Sequence, residues 1–382
     1  MIRIGLLGYG TVGQAFAELV ARQTRVQTRI EVALVRDPER PRKGPQIRLT
    51  GNPEDVIDCP DIDVIVDVMG GSEPARQWLV RAIEQNKSVI SANKEVMADY
   101  ASELGQLAAR HNVYLAWEAA VGGGIPLLEP LKSHFSGAPV SRFIGILNGT
   151  TNYVLSRLET GESYSEALSD AQRAGYAEAD PANDLNGSDV ARKLELVFGA
   201  LFGTPKNFSI TPRRGIDEDL PRIVKRVEPW GWRVKVLAVA DQLGGTQIWP
   251  TLVRADHRLA QVTGVMNVAG VEIYGQWFWM EGPGAGGPAT ALSLLADFYR
   301  GYETGFHQLR LSPLAEKLVH PISMPWIGFA LDPDRSLSTF NVPDGAIMHQ
   351  DYCMTPPLDQ ISAANWLAEN PGLLAYPVLL DA

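Results

Sequence analysis

The stretch "IRIGLLGYGTVGQAFAELV", residues 2–20, decides how the chain must begin to fold. Its first six residues, "IRIGLL", are an apolar run of the length of a buried strand, and they lead straight into Gly8, Gly10 and Gly13. Val12, Phe16, Leu19 and Val20 then recur on one face of a helix. Three glycines alone mark no more than a tight strand-to-helix turn. Between a strand and a helix they read as a dinucleotide fingerprint: Gly8 permits the turn, Gly10 lets the backbone approach a pyrophosphate, and Gly13 lets helix and strand pack closely. The helix N-terminus, with Thr11 and Val12, attracts the anion.

Further strand-like runs follow at residues 30–35, 63–69, 88–91 and 113–117, with helical patterns between most of them, one from 95 to about 111. This alternation predicts a doubly wound parallel sheet of the Rossmann type, with ligand beyond the carboxyl ends of its strands. After the second run comes "VRDPERPRKG" (35–44), which offers Arg36 for the extra phosphate of NADP and Asp37 for the ribose of NAD. Arg40, Arg42 and Lys43 close behind favour NADP over NAD, the bland alternative being a solvated basic loop. "DVMGG" ends the third run on Gly70 and Gly71, whose missing side chains leave room for a flat ring, and "SANKEVMA" places Lys94 just past the next strand, facing the same cleft.

The chain has 382 residues, 45% of them apolar, enough for two or three domains. A net charge of −10, with no basic run, argues against nucleic acid as a partner. Cys59 and Cys353 are the only cysteines, which excludes a disulfide framework and a zinc cluster and suits a reducing cytoplasm. No signal-like h-region opens the chain and no apolar run has the length of a membrane span, so neither targeting nor anchoring is expected. There is no internal repeat.

In "GYAEADPANDLNGSDVARK" (175–193), Glu178, Asp180, Asp184 and Asp189 precede Lys193. An EF-hand register fails, because it puts Ala182 at the first ligand position and Lys193 where the bidentate glutamate belongs. Read alone, the segment is a solvated loop followed by a surface ion pair between Asp189 and Lys193, and the rest of the chain must decide whether it is more.

Taken together, "GLLGYGTVG", "DVMGGSEPA", "SANKEVMA", "EAAVGGGIP", "ILNGTTNYVL", the acidic segment, "PTLVRADHRLAQVTGVMNV" and "GPGAGGPATA" closely resemble the homoserine dehydrogenase family, in the family's order, over about residues 1–300. The resemblance implies NAD(P)-dependent interconversion of L-homoserine and L-aspartate 4-semialdehyde, a step towards threonine and methionine. It implies that Glu178, Asp184, Asp189 and Thr150 bind the amino acid, that Lys193 is the proton donor, and that Lys94 lies between cofactor and substrate. It also implies cofactor contacts from Gly8, Gly10, Thr11, Val12, Gly13, Arg36, Gly70, Lys94, Gly284 and Gly286, and a sodium ion held by Glu118, Val121, Gly123 and Ile125, largely through main-chain carbonyls. The chemistry agrees: a carboxylate suits the substrate ammonium, and a protonated lysine stabilises the oxygen that gains charge as hydride arrives.

The expected organisation is a dinucleotide-binding domain over 1–125, to which a helix at about 287–300 returns, an α+β substrate and dimerisation domain over 126–286, and a C-terminal extension over 301–382. Many relatives carry an ACT domain with a proline-glycine signature there. Here "NPGLLA" comes only at 370–375, with no length left for that module. Asp67 stands where many members have glutamate, and Asn183 replaces a common aspartate; both bear on substrate fit. The alternatives are a related oxidoreductase of another small amino or hydroxy compound, a phosphorylating semialdehyde dehydrogenase, which needs a nucleophilic cysteine in the catalytic half, and a nucleotide sensor without turnover, which would lack the Glu178, Asp189 and Lys193 set.

Overall fold

The computed structural model describes the chain apart from residues 136, 204–209, 211, 308–321, 331–335, 350, 372 and 380–382. Part of the C-terminal extension therefore lies outside the described residues. The chain divides into two compact units. One holds Met1–Ser136, Glu195–Leu201 and the segment from Gly282 through the helix Gly287–Glu303; the other holds Gly137–Leu194, Phe202–Glu281 and the described C-terminal residues.

The first unit is the expected doubly wound sheet. Its strands are β1 (Ile2–Leu7), β2 (Thr28–Leu34), β3 (Arg48–Thr50), β4 (Val64–Asp67), β5 (Ser88–Ser91) and β6 (Leu115–Ala116), all parallel, in the order β3-β2-β1-β4-β5-β6. Strand order reverses between β1 and β4, where ligands of open α/β sheets bind. Every residue of β4 and β5 is buried, as central parallel strands covered on both faces require. Ile4, Leu6, Phe16, Val64, Val66 and Ile90 form one core with Ala291, Leu294 and Phe298 of the helix Gly287–Glu303, which packs against the helix Thr11–Arg22. Close approach is enforced there: a Cβ on Gly287 would lie 2.9 Å from the Thr11 carbonyl oxygen. The three-residue β3 carries too short a pattern to be anticipated.

The second unit is α+β. Among the described residues its strands are β7 (Val140–Ile146), β8 (Trp232–Asp241), β9 (Thr246–Arg254), β10 (Met266–Ile273), β11 (Gln276–Pro283), β12 (Trp326–Ala330), β13 (Ile347–Met348), β14 (Cys353–Met354) and β15 (Leu373–Leu379), in the order β11-β10-β7-β8-β9-β15-β12-β14-β13. The C-terminal residues thus extend this sheet: β15 pairs parallel to β9, Val378 opposite Leu252, and antiparallel to β12. Trp326, Trp366, Leu373 and Ala375 close a core of their own, and Phe329 stacks on Tyr376 with ring centroids 6.3 Å apart. Among the described residues no helix is long and apolar enough to cross a membrane.

Candidate active site

The glycine turn has the geometry its sequence predicts. Gly8 adopts φ +106°, in the region that favours glycine, and a Cβ on Gly13 would lie 2.6 Å from the Gly8 carbonyl oxygen. A Cβ on Gly10 meets nothing within 4 Å, so its role is not packing; it leaves open space at the start of a helix that has no side-chain cap. Tyr9, absent from the sequence reading, donates its buried hydroxyl to the Pro45 carbonyl at 2.7 Å and ties this turn to the basic loop. In that loop Arg36 is exposed two residues past β2, while Arg42 donates to the carbonyls of Asp37 and Arg40 at 2.8 and 2.9 Å.

The loops after β4 and β5 are braced by one carboxyl group. Asp67 is fully buried; it accepts from the Met69 N–H and the Ser91 hydroxyl, each at 3.0 Å. Ser91 Oγ accepts from the Asn93 N–H at 3.0 Å, Asn93 Nδ2 donates to the Gly71 carbonyl at 2.9 Å, and the Gly71 N–H donates to Glu95 at 2.6 Å. Gly70 is left exposed in a fixed loop, and Lys94 becomes the first residue of a helix capped by Asn93. Burial pushes the Asp67 carboxyl up to about 6, against the hydrogen bonds from Met69, Ser91 and Asn93.

The "EAAVGGGIP" segment turns at Glu118–Ala120. The Glu118 carboxylate accepts from the N–H groups of Leu127, Leu128 and Glu129 at 2.5, 2.9 and 2.6 Å, capping the next short helix. A cation here would therefore rest on main-chain carbonyls. That of Gly123 already accepts the Ser293 hydroxyl at 2.6 Å, and a Cβ on Gly123 would lie 2.3 Å from the Gly284 carbonyl oxygen, so this loop and the "GPGAGG" loop interlock. Burial raises the Glu118 and Asp297 carboxyls, Asp297 being raised further by the Glu118 charge. The Lys132 ammonium already faces both acids, so what the loop offers a hard monovalent cation is its carbonyls, and no cluster of three His, Cys, Asp or Glu suited to a metal occurs among the described residues.

In the second unit the acidic segment folds back on the junction between β7 and the helix Gly149–Glu159. Lys193 is 9% and Asp189 1% exposed. Lys193 Nζ donates to the Leu147 carbonyl and pairs with Asp189 Oδ2, both at 2.8 Å. The pair is buried, which corrects the reading of a solvated loop with a surface ion pair: the helix Ser188–Phe202 presents both residues, one turn apart, to the end of β7. Thr150 donates to the Tyr176 carbonyl at 2.6 Å and sits 3.3 Å from Asp184. Asn148, which the sequence reading did not single out, donates to both Asp184 and Asp189 at 2.8 Å. Its place before a helix signals only a cap. Thr150, Asp184, Asp189 and Lys193 are thus brought together; the exposed Glu178 is anchored through its main-chain carbonyl, which accepts from Gln172 at 3.1 Å, and its carboxylate lies outside the hydrogen-bonded cluster. Asp67 is buried in the first unit, and Asn183 is exposed beside Asp184 in sequence.

A family model described as the homoserine dehydrogenase NAD-binding domain matches residues 8–118, and one described as homoserine dehydrogenase matches residues 126–299. A homoserine dehydrogenase of Synechocystis is 38% identical over 398 aligned residues, covering 98% of this chain and 85% of its own. The chain belongs to the homoserine dehydrogenase family. It is an NAD(P)-dependent oxidoreductase, as its motifs imply. A homoserine dehydrogenase of Neisseria gonorrhoeae is 36% identical across 78% of this chain and 71% of its own. The crystal structure of a homoserine dehydrogenase from Thiobacillus denitrificans superimposes with a TM-score of 0.85 at 29% identity, covering 99% of this chain and 98% of that one. The cysteine-dependent alternative has no support: Cys353 is buried in β14, far along the chain from the catalytic motifs.

Proposed function

We propose that Lys193 is the proton donor in the interconversion of L-homoserine and L-aspartate 4-semialdehyde, a reaction that serves threonine and methionine synthesis. The observation that carries this reading is a buried ammonium with two acceptors, the Leu147 carbonyl and Asp189, and three N–H groups. The third is available to a substrate oxygen. The nicotinamide supplies or accepts the hydride. Lys193 meets the charge that develops on the aldehyde oxygen during reduction and hands that oxygen its proton. Asp184, with Glu178, takes the substrate ammonium through charge-assisted hydrogen bonds. Lys94, on the braced loop after β5, serves the nicotinamide end of the reaction.

The cofactor in this reading is NADP in preference to NAD, because Arg36 is exposed just past β2. Gly8, Gly10, Thr11, Val12 and Gly13 receive its pyrophosphate, and Gly70, Gly284 and Gly286 border it. Sodium is held by the carbonyls of Glu118, Val121, Gly123 and Ile125. The enzyme works as a dimer in the cytoplasm; what supports self-association is the edge strand β11, with Trp277 stacked on Trp279, Phe278 exposed within it and Tyr274 exposed in the turn before it.

The test is the absorbance of reduced nicotinamide in both directions, with NADP and NAD, for the parent, Lys193→Ala and Lys193→Arg. Arginine keeps the ion pair but does not release a proton at working pH. Both variants are expected to lose about 10²- to 10⁴-fold in kcat. An Arg variant that keeps full kcat would rule out proton donation by Lys193. Sedimentation of the parent reports the oligomeric state.

A further inference from the structure

We propose that Asn148 is a positioning residue that sets the two neighbouring acids to different tasks, Asp189 to Lys193 and Asp184 to the substrate ammonium. The inference rests on the reading of Lys193 as proton donor and deepens it. Asn148 is 4% exposed, and each of its amide groups is committed. Its Oδ1 accepts from the Thr151 N–H at 2.8 Å, which fixes which way the amide points. Its Nδ2 then has two hydrogens, and each goes to a different carboxylate: one to Asp184 Oδ1, the other to Asp189 Oδ2, both at 2.8 Å. No other common side chain of this length caps a helix with oxygen while giving two donors to two acids.

The consequence is an asymmetry between two acids only five positions apart in sequence. Asp189 Oδ2 receives both Asn148 and Lys193, and Asp189 is almost fully enclosed. That carboxylate balances the lysine and has little left for a ligand. Asp184 is half-buried, and only its Oδ1 is held by the amide; Oδ2 lies 3.3 Å from Thr150, whose hydroxyl proton goes to the Tyr176 carbonyl at 2.6 Å. Asp184 Oδ2 is therefore the acceptor left for an ammonium. Without the amide, two carboxylates would repel each other across the same corner, and Asp189 would be free to turn from Lys193.

Asn148→Ser and Asn148→Asp separate this role from helix capping, since serine and aspartate both cap well. Serine supplies one donor at most and aspartate none. Both variants are expected to keep the parent's KM for NADP, while the thermal midpoint falls modestly in serine and further in aspartate, which buries a third carboxylate. Serine should lower kcat/KM for homoserine about 10- to 100-fold, the loss of a hydrogen bond to a charged group, and aspartate, which adds a third carboxylate, should lower it further. Asn148→Ser combined with Asp184→Asn should lose less than the two single losses multiplied together, because part of the amide's effect runs through that acid and the rest through Asp189. Parent-like kcat/KM in Asn148→Ser, or full additivity in the double variant, would overturn the assignment. Lys193→Arg measured alongside keeps the two ideas apart: an active Arg variant removes the lysine reading, whereas an inactive one with an unaffected Asn148→Ser removes only the role of Asn148.

Discussion

Lys193 and Asp189 are a buried ion pair, and at the scale of single residues that fact governs what substitution does. Taking away one partner leaves a charge enclosed without its counterion, a loss of about 3–5 kcal/mol. Lys193→Ala is therefore expected to be less stable than Lys193→Arg by that order, and adding Asp189→Asn to Lys193→Ala should restore part of it; urea unfolding of the three variants measures both. Asp67 makes the second prediction. Its folded value, about 6, lies above that of a free carboxyl, so between about pH 4 and 6 the folded chain binds a proton that the unfolded chain has lost. Stability from this group is then greatest at low pH and falls as pH rises through that window, by up to about 3 kcal/mol. Asp67→Asn should remove the slope. Urea midpoints from about pH 4 to 7 that change in parallel for parent and variant would show that the buried carboxyl does not titrate in this way.

At the scale of elements, the strand-to-helix turn separates a glycine that packs, Gly13, from one whose Cβ would meet no atom of the protein, Gly10. Gly13→Ala forces a methyl group into the Gly8 carbonyl at 2.6 Å and must push the helix Thr11–Arg22 off β1. It is expected to destabilise the protein by about 1–3 kcal/mol, as overpacking does. Gly10→Ala meets no atom of the protein, so its thermal midpoint should match the parent while KM for NADP rises by about tenfold or more, provided the pyrophosphate passes over that Cα. Melting curves beside cofactor titrations distinguish the two. The turn at Gly8 and the packing of Gly13 were legible in residues 2–20, because a local turn and a helix face are written in neighbouring residues. The cross-brace from Asp67 through Ser91 and Asn93 to Gly71 was not. It joins the ends of two parallel strands 24 residues apart in sequence, and side chains this ordinary carry no pattern of their own.

For the molecule as a whole, the C-terminal stretch is structural in the sense that matters for stability: β15 lies between β9 and β12 in the sheet that also contains β7. Tyr376 is 1% exposed, with Phe329 stacked on it and Arg214 5.4 Å from its ring centre. Tyr376→Ala should lower the unfolding free energy by about 3–5 kcal/mol. Activity at low temperature should persist, since the ring lies outside the Lys193 cluster. A variant with unchanged urea stability would mean that this stretch is dispensable for the sheet.

What the amino-acid order determined by itself was local or repetitive: the glycine turn, the parallel strand alternation, and the motif set that points to the family. Those features need only neighbouring residues or a period. Tertiary structure decided that Asp189 and Lys193 are enclosed rather than solvated, that Asn148 spans two acids 36 and 41 residues away, and that the last strands complete a sheet begun two hundred residues earlier. Burial and hydrogen-bond partnership belong to surfaces that come together only when the chain closes on itself, so no reading of adjacent residues could have supplied them.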